Sequence, residues 1–214
     1  MKISIPKVYP ILDSSILPAV LRAAFLQTLG ESLADAGLRW LEYRNKTGTE
    51  EEMLVDADIL RAALPVGQVK LILDDRVDLV EQTKFDGVHV DAGDLSPCEA
   101  RRLLGPERIV GTFGGSDILL PGILTEPADY FAIGPVYPTA TKQTSKPPIG
   151  VEGVRRLRAE AGPDAVLVAA AGITLETVLQ VLAAGASSVA VAAAIFRTAD
   201  PAREFGRWKQ LVGD

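Results

Sequence analysis

The stretch VLVAAAGITLETVLQVLAAGASSVAVAAAIF, residues 166–196, holds two apolar runs separated by one amphipathic segment. VLVAAAG (166–172) and SVAVAAAIF (188–196) are almost continuously apolar, the pattern of strands buried on both faces of a parallel sheet. Between them TLETVLQVLAAG (174–185) has helical spacing. Thr174 is an N-cap candidate there, Glu176 puts an acid in the first turn and Gly185 closes the segment. Strand, helix and strand in that order form a crossover unit, which predicts parallel pairing.

The same alternation runs through the rest of the chain. VYPIL (8–12), LRWLEYR (38–44), KLILD (70–74), GVHV (87–90), RIVGTF (108–113) and YFAIGPV (130–136) are further strand candidates. Helix-favouring stretches lie between them. LPAVLRAAFLQTLGESLADAG (17–37) ends on Gly37, and TEEEMLVDADILRAALP (49–65) has acids in its first turn and Pro65 after its end. PAREFGRWKQLV (201–212) finishes the series, whereas SDILLPGILTEP (116–127) is a poor helix because Pro121 interrupts it. About eight β/α units predict one closed (β/α)8 TIM barrel, a single domain over residues 1–214. An open doubly wound sheet is the alternative, weakened by the lack of a GxGxxG after the first strand.

The chain has 214 residues, 48% of them hydrophobic, enough for a sizeable core. A net charge of -6 argues against nucleic acid as a partner. One cysteine, Cys98, gives no intrachain disulfide, and a single histidine, His89, disfavours a Ser-His-Asp hydrolase. The N-terminal MKISIPKVYPILDSS lacks a signal-peptide pattern, and no run of about 18 apolar residues offers a membrane span. The expectation is a soluble cytoplasmic protein.

In a (β/α)8 barrel, chemistry gathers where strands end. Strand 2 ends in Glu42, Arg44, Asn45 and Lys46, and strand 3 in Asp74, Asp75 and Arg76. Strand 4 carries His89 and is followed by Asp91 and Asp94. Strand 6 enters GPVYPTATKQTSKPPIG (134–150), a loop rich in lysine and hydroxyl groups that contains no acid and holds Thr139, Thr141 and Lys142. Strands 7 and 8 end in Ala171-Gly172 and Ala192-Ala193-Ala194. Each has a plainer reading too. Asp74 and Asp75 suit a helix cap, His89 a packed barrel histidine, Arg44 and Lys46 a solvated surface. Together they suit a phosphorylated substrate. Lysine and threonine donate to phosphoryl oxygens, small residues let backbone N–H groups approach, and Asp75 and Asp94 are hard oxygen ligands for Mg2+.

Several segments carry a family resemblance across nearly the whole chain: LEYRNK (41–46), LILDDRVDL (71–79), DGVHVDAGDL (86–95), AIGPVYPTATK (132–142), PIGVEGVRRL (148–157) and AAGITLETVLQVLAAGASSVAVAAAIF (170–196). The chain resembles the thiamine-phosphate synthases, and less closely their relatives the thiazole tautomerases. The tautomerase branch places a catalytic histidine after strand 5, where this chain reads GTFGGSD. The resemblance implies a transferase that joins hydroxymethylpyrimidine diphosphate to thiazole phosphate, releases diphosphate and depends on Mg2+. It further implies that Arg44 and Lys46 contact the diphosphate substrate and that Lys142 binds the leaving diphosphate, these three being the catalytic candidates. Glu42, Asp74, Thr139 and Thr141 join the substrate site, the backbone at Gly172, Ala193 and Ala194 cradles the thiazole phosphate, and Asp75 and Asp94 hold the metal. A homo-oligomer is compatible with it.

The chain departs from the family pattern at Glu42 (usually Gln), Asp74 (usually Asn), Asp91-Ala92-Gly93 (Gly-Gln-Glu), Gly111-Thr112-Phe113 (Gly-Val-Ser), Ala171 (Gly) and Ala193 (Ser). These changes add acids and remove hydroxyls near the anion sites. The alternative function is therefore a non-catalytic or divergent barrel that binds a thiazole or thiamine phosphate, or another phosphorylated heterocycle.

Overall fold

The computed structural model describes residues 3–91, 93–139 and 146–214. Eight parallel strands close into a barrel in chain order. They are β1 (Val8–Asp13), β2 (Trp40–Arg44), β3 (Lys70–Asp74), β4 (Gly87–Val90), β5 (Ile109–Gly115), β6 (Tyr130–Ile133), β7 (Leu167–Ala170) and β8 (Ser188–Val191). β1 pairs with both β2 and β8, so no sheet edge is left open.

Eight α-helices surround the strands among the described residues: α1 (Arg22–Asp35), α2 (Glu50–Ala63), α3 (Val80–Thr83), α4 (Pro97–Leu104), α5 (Gly150–Ala161), α6 (Val178–Ala183), α7 (Ala193–Phe196) and α8 (Pro201–Val212). Their starts follow from local chemistry. Thr49 caps α2 and Ser96 caps α4, each in a reciprocal bond with a glutamate three residues on. Asp200 caps α8 ahead of Pro201. Inward faces such as Met53, Ala57 and Leu60 of α2, and Phe205, Trp208 and Val212 of α8, join one apolar layer with the outward strand residues Leu41, Leu71, Val88 and Val189.

The expected barrel is present, with local corrections. The first helix begins at Arg22 instead of residue 17, because Pro18 and the left-handed Leu21 (φ 60°) break the pattern. The 116–127 stretch forms no α-helix; it contains a single 3-10 turn, Ile123–Thr125. Strand 8 ends at Val191, and the alanines beyond it open α7, in keeping with alanine's helical preference. Thr174 does not cap α6. Its carbonyl instead accepts from Thr177 and Val178, and the helix begins at Val178.

Strand alternation sorts the interior into levels about 6.6 Å apart, two residues of rise. The lowest is a packed plug of Tyr9, Trp40, Ile72, Ile109, Tyr130, Val168 and Ala190. Two residues further along their strands come Ile11, Glu42, Asp74, Gly111, Ala132, Ala170 and Ala192, and then Asp13, Arg44 and Phe113 at the carboxyl end. Gly111 makes room for the plug: a Cβ there would overlap the Tyr130 ring.

Candidate active site

A cavity of about 670 Å³ opens at the carboxyl ends of the strands. Its floor carries a chain of polar groups on aromatic rings. The Tyr9 hydroxyl donates to Glu42 Oε2 at 2.5 Å, Tyr9 and Tyr130 hydroxyls lie 2.8 Å apart, and the Tyr130 hydroxyl is 3.1 Å from His89 Nδ1. His89 stacks on the Tyr130 ring with centroids 5.5 Å apart. These residues come from β1, β2, β4 and β6, so the closed barrel alone brings them together.

The floor alters proton affinities. Glu42 is 4% exposed, and burial, reinforced by the charges of Asp74 and Asp91, pushes its carboxyl up to about 8 against the Tyr9 bond and Arg44, which pull it down. Burial likewise raises the Tyr9 and Tyr130 phenols well above their ordinary value, with the Glu42 charge adding to it. At neutral pH the Glu42 carboxyl and the two phenols are therefore largely uncharged.

The rim is charged and paired. Arg44 bonds Asp13, and its Nε lies 3.5 Å from Asp74 Oδ2. Lys46 Nζ sits 3.0 Å from the same oxygen and also pairs with Asp75. Burial would raise the Asp13 carboxyl, yet bonds from Ser15 and the Arg44 guanidinium hold it below its ordinary value. Two cations thus face three carboxylates, Asp13, Asp74 and Asp75. Among the described residues Asp75 Oδ1 is buried with no hydrogen-bond partner, and Asp74 Oδ2 has ion-pair neighbours without hydrogen-bond geometry.

The opposite side is small and apolar. Ala170, Ala171, Gly172, Ala192, Ala193 and Ala194 line it. Ala171 (φ 74°) and Gly172 (φ 69°) turn the chain sharply after β7, and a Cβ on Gly172 would meet the Pro138 carbonyl at 2.5 Å. Lys146 lies 4.4 Å over the Phe113 ring, and both side chains line the mouth.

Of the residues selected from sequence, Glu42, Arg44, Asp74, Thr139, Gly172, Ala193 and Ala194 line the cavity. Lys46 and Asp75 do not line it but pair with each other beside Asp74. Asp94 is not a lining residue either. Its Oδ2 accepts from the Asp91 N–H at 2.8 Å, and Asp91 takes the position on the wall. No group of three or more His, Cys, Asp or Glu side chains able to hold a metal occurs among the described residues. Thr141 and Lys142 lie outside the described residues. Sequence reasoning missed Tyr9, Asp13, Tyr130 and Lys146. Tyr9 and Tyr130 sit inside runs read as apolar strands, and the available signal was their alternation with inward neighbours such as Ile11 and Ala132.

A closed (β/α)8 barrel with its charged and small-residue walls gathered at the carboxyl ends of the strands defines an enzyme of the barrel class, acting on small molecules at that mouth. The family model described as thiamine monophosphate synthase matches residues 8–195. A thiamine-phosphate synthase of Koribacter versatilis is 37% identical over 210 residues, covering 98% of this chain and 97% of the relative. One of Agrobacterium fabrum is 38% identical over 190 residues, covering 87% and 86%. The structure of a thiamine phosphate pyrophosphorylase from Pyrococcus furiosus superposes with a TM-score of 0.77 at 25% identity, covering 97% of this chain and 95% of the other. This chain belongs to the thiamine monophosphate synthase family, and it is a transferase. An orotidine 5'-phosphate decarboxylase from Pyrococcus horikoshii, at 14% identity and a TM-score of 0.61, shares the barrel fold.

Proposed function

We propose that the chain couples hydroxymethylpyrimidine diphosphate to thiazole phosphate, forming thiamine phosphate and releasing diphosphate. The supporting observation is one mouth that joins a cation–carboxylate rim to a wall of small residues, in a chain similar to named synthases along nearly its full length. The C–O bond to diphosphate breaks, the aminopyrimidine delocalises the positive charge, and the thiazole nitrogen forms the new C–N bond. No side-chain nucleophile is required. The protein contributes alignment and leaving-group stabilisation.

Arg44 and Lys46 neutralise the diphosphate, exchanging carboxylate partners for phosphoryl oxygens. Thr139 and Thr141 donate hydroxyls to the thiazole phosphate or the diphosphate, and Lys142 of the same loop takes the departing diphosphate. Backbone N–H groups at Gly172, Ala193 and Ala194 hold the thiazole phosphate where no side chain stands in the way. Two carboxylates suit a hard divalent cation that keeps water among its ligands, and Asp75 Oδ1 has no hydrogen-bond partner among the described residues. Asp75 and Asp94 would hold Mg2+. When bound, it supplies positive charge to the leaving group.

The proposal includes one domain over residues 1–214 and a cytoplasmic location, without nucleic-acid or membrane partners and with homo-oligomers allowed. No described helix is long and apolar enough to cross a membrane, and the net charge is -6. The test is diphosphate release with both substrates present, repeated with Lys142→Ala. Turnover that Lys142→Ala leaves untouched removes the role of that lysine, and wild-type protein that releases no diphosphate removes the synthase function.

A further inference from the structure

A buried polar chain runs behind the charged rim, on the helix side of β2. Arg22, the first residue of α1, donates to Asp56 of α2 from Nε at 2.9 and 3.1 Å and from a second guanidinium nitrogen. The Tyr43 hydroxyl donates to the same carboxylate at 2.5 Å. Asn45 Nδ2 donates to the Tyr43 oxygen at 3.1 Å, and Asn45 Oδ1 accepts from the Gly48 N–H at 2.8 Å. Asp56 is 1% exposed, Tyr43 is fully buried and Asn45 is 9% exposed. None of these residues lines the cavity, whereas Arg44, between Tyr43 and Asn45, faces the other way and does.

The polarity of this chain is set by its buried end. The Asp56 carboxylate, paired with Arg22, only accepts, so it takes the one proton of Tyr43. The Tyr43 oxygen is then left as an acceptor, and Asn45 must turn its NH2 toward it. That leaves Oδ1 for the Gly48 N–H. Asparagine meets both demands at once. Aspartate in its place would set an oxygen against the Tyr43 oxygen with no proton between them, and an apolar residue would serve neither partner.

The consequence falls on Lys46. β2 ends at Arg44, and its register with β1 runs as far as Asp13 opposite Arg44, so the sheet itself places that arginine. Lys46 lies two residues further on. There the Asn45 side chain closes a turn over residues 45–48, and the Thr49–Glu52 capping box follows directly. Lys46 is thus held between two side-chain locks, one of them anchored on a buried ion pair. It is not a lining residue: its Nζ rests 3.0 Å from Asp74 Oδ2 and pairs with Asp75. To meet a diphosphate, the ammonium must cross from carboxylate to phosphoryl oxygen while its backbone stays in place. A backbone free to shift would let the ammonium stay with its carboxylates.

Resting on the synthase reading for the identity of the anion, we propose that Asn45 is a positioning residue for diphosphate binding. It ties the backbone of Lys46 to the buried Tyr43–Asp56–Arg22 chain and so sets the reach of that ammonium. The thiazole phosphate, assigned to the wall of small residues on the opposite side, does not depend on it.

The test is titration calorimetry of the full chain with inorganic diphosphate and, separately, with thiazole phosphate, both in Mg2+. Asn45→Ala should weaken diphosphate binding about 10-fold and leave thiazole phosphate binding unchanged. Lys46→Met should weaken diphosphate binding about 10- to 100-fold, and adding Asn45→Ala to it should cost less than about twofold more. Gly48→Ala attacks the same turn from its other end, because a Cβ there would meet Asn45 Nδ2 at 2.6 Å and Oδ1 at 2.8 Å. It should show the same selectivity for diphosphate and the same dependence on Lys46, and it decides the matter if Asn45→Ala does not fold. Unchanged diphosphate affinity, an equal loss for both ligands, or the same loss with and without Lys46 overturns the proposal. Turnover measured in parallel separates the two levels. Wild-type protein that binds diphosphate with the expected pattern but does not couple the substrates overturns the synthase reading and leaves the positioning role. Turnover with a diphosphate affinity indifferent to Asn45→Ala does the reverse, and wild-type protein that binds no diphosphate overturns both.

Discussion

Replacing Glu42 by Gln should stabilise the unliganded protein, by an amount that grows with pH. The carboxyl is buried and pushed up to about 8 in the folded state, from an ordinary value of 4.5. Between those values the folded protein holds a proton that the unfolded chain has released. Stability therefore falls as pH rises above 4.5 and levels off above 8, at about 1.4 kcal/mol per unit in between. An amide of the same shape carries no such penalty and keeps the acceptor for Tyr9. Integrating the linkage gives a gain for Glu42→Gln of about 1 kcal/mol at pH 5, about 3 at pH 7 and about 4 at pH 8. For a chain of this size the pH 7 gain corresponds to a Tm higher by about 6–12 °C. Urea unfolding of both proteins at pH 5, 7, 8 and 9 measures it. A difference that is constant across this range, or one that shrinks as pH rises, refutes a neutral Glu42 in the folded state.

The remaining outcomes concern the scaffold and the metal. Asp56 is 1% exposed and receives bonds from Arg22, including one of 2.9 Å from its Nε, and from Tyr43; Asp56→Ala should cost about 3–5 kcal/mol in urea unfolding, while a cost below about 1 kcal/mol would show that the pair is not a buried one. Gly111→Ala forces a methyl into the Tyr130 ring and should lower both the urea midpoint and the affinity for the aminopyrimidine; unchanged values would mean Tyr130 is placed elsewhere. Removing divalent cations with a chelator should abolish diphosphate release and adding Mg2+ should restore it, with Asp75→Asn raising the Mg2+ concentration required; release at full rate in chelator rules out the metal.

The order of apolar and amphipathic runs was enough to specify a closed parallel barrel, because strands buried on both faces and helices with one apolar stripe leave few other arrangements. The βα loops at strands 2, 3 and 4 could also be read directly. Arg44, Asp74 and Asp91 sit at strand ends whatever the details, and they do line the mouth. Local chemistry set the helix starts at Thr49, Ser96 and Asp200, since a cap depends on residues a few positions apart.

What could not be read was direction and partnership. Tyr9 and Tyr130 look like any aromatic strand residues until strand register turns both inward to meet 2.8 Å apart. Asp91 and Asp94 are equivalent in sequence, yet the turn between them spends Asp94 on the Asp91 N–H and gives Asp91 the wall. Glu42 is a common acid in the sequence, and only burial at the convergence of four strands makes it neutral near pH 7, because desolvation and neighbouring charge belong to the assembled interior and to no local segment.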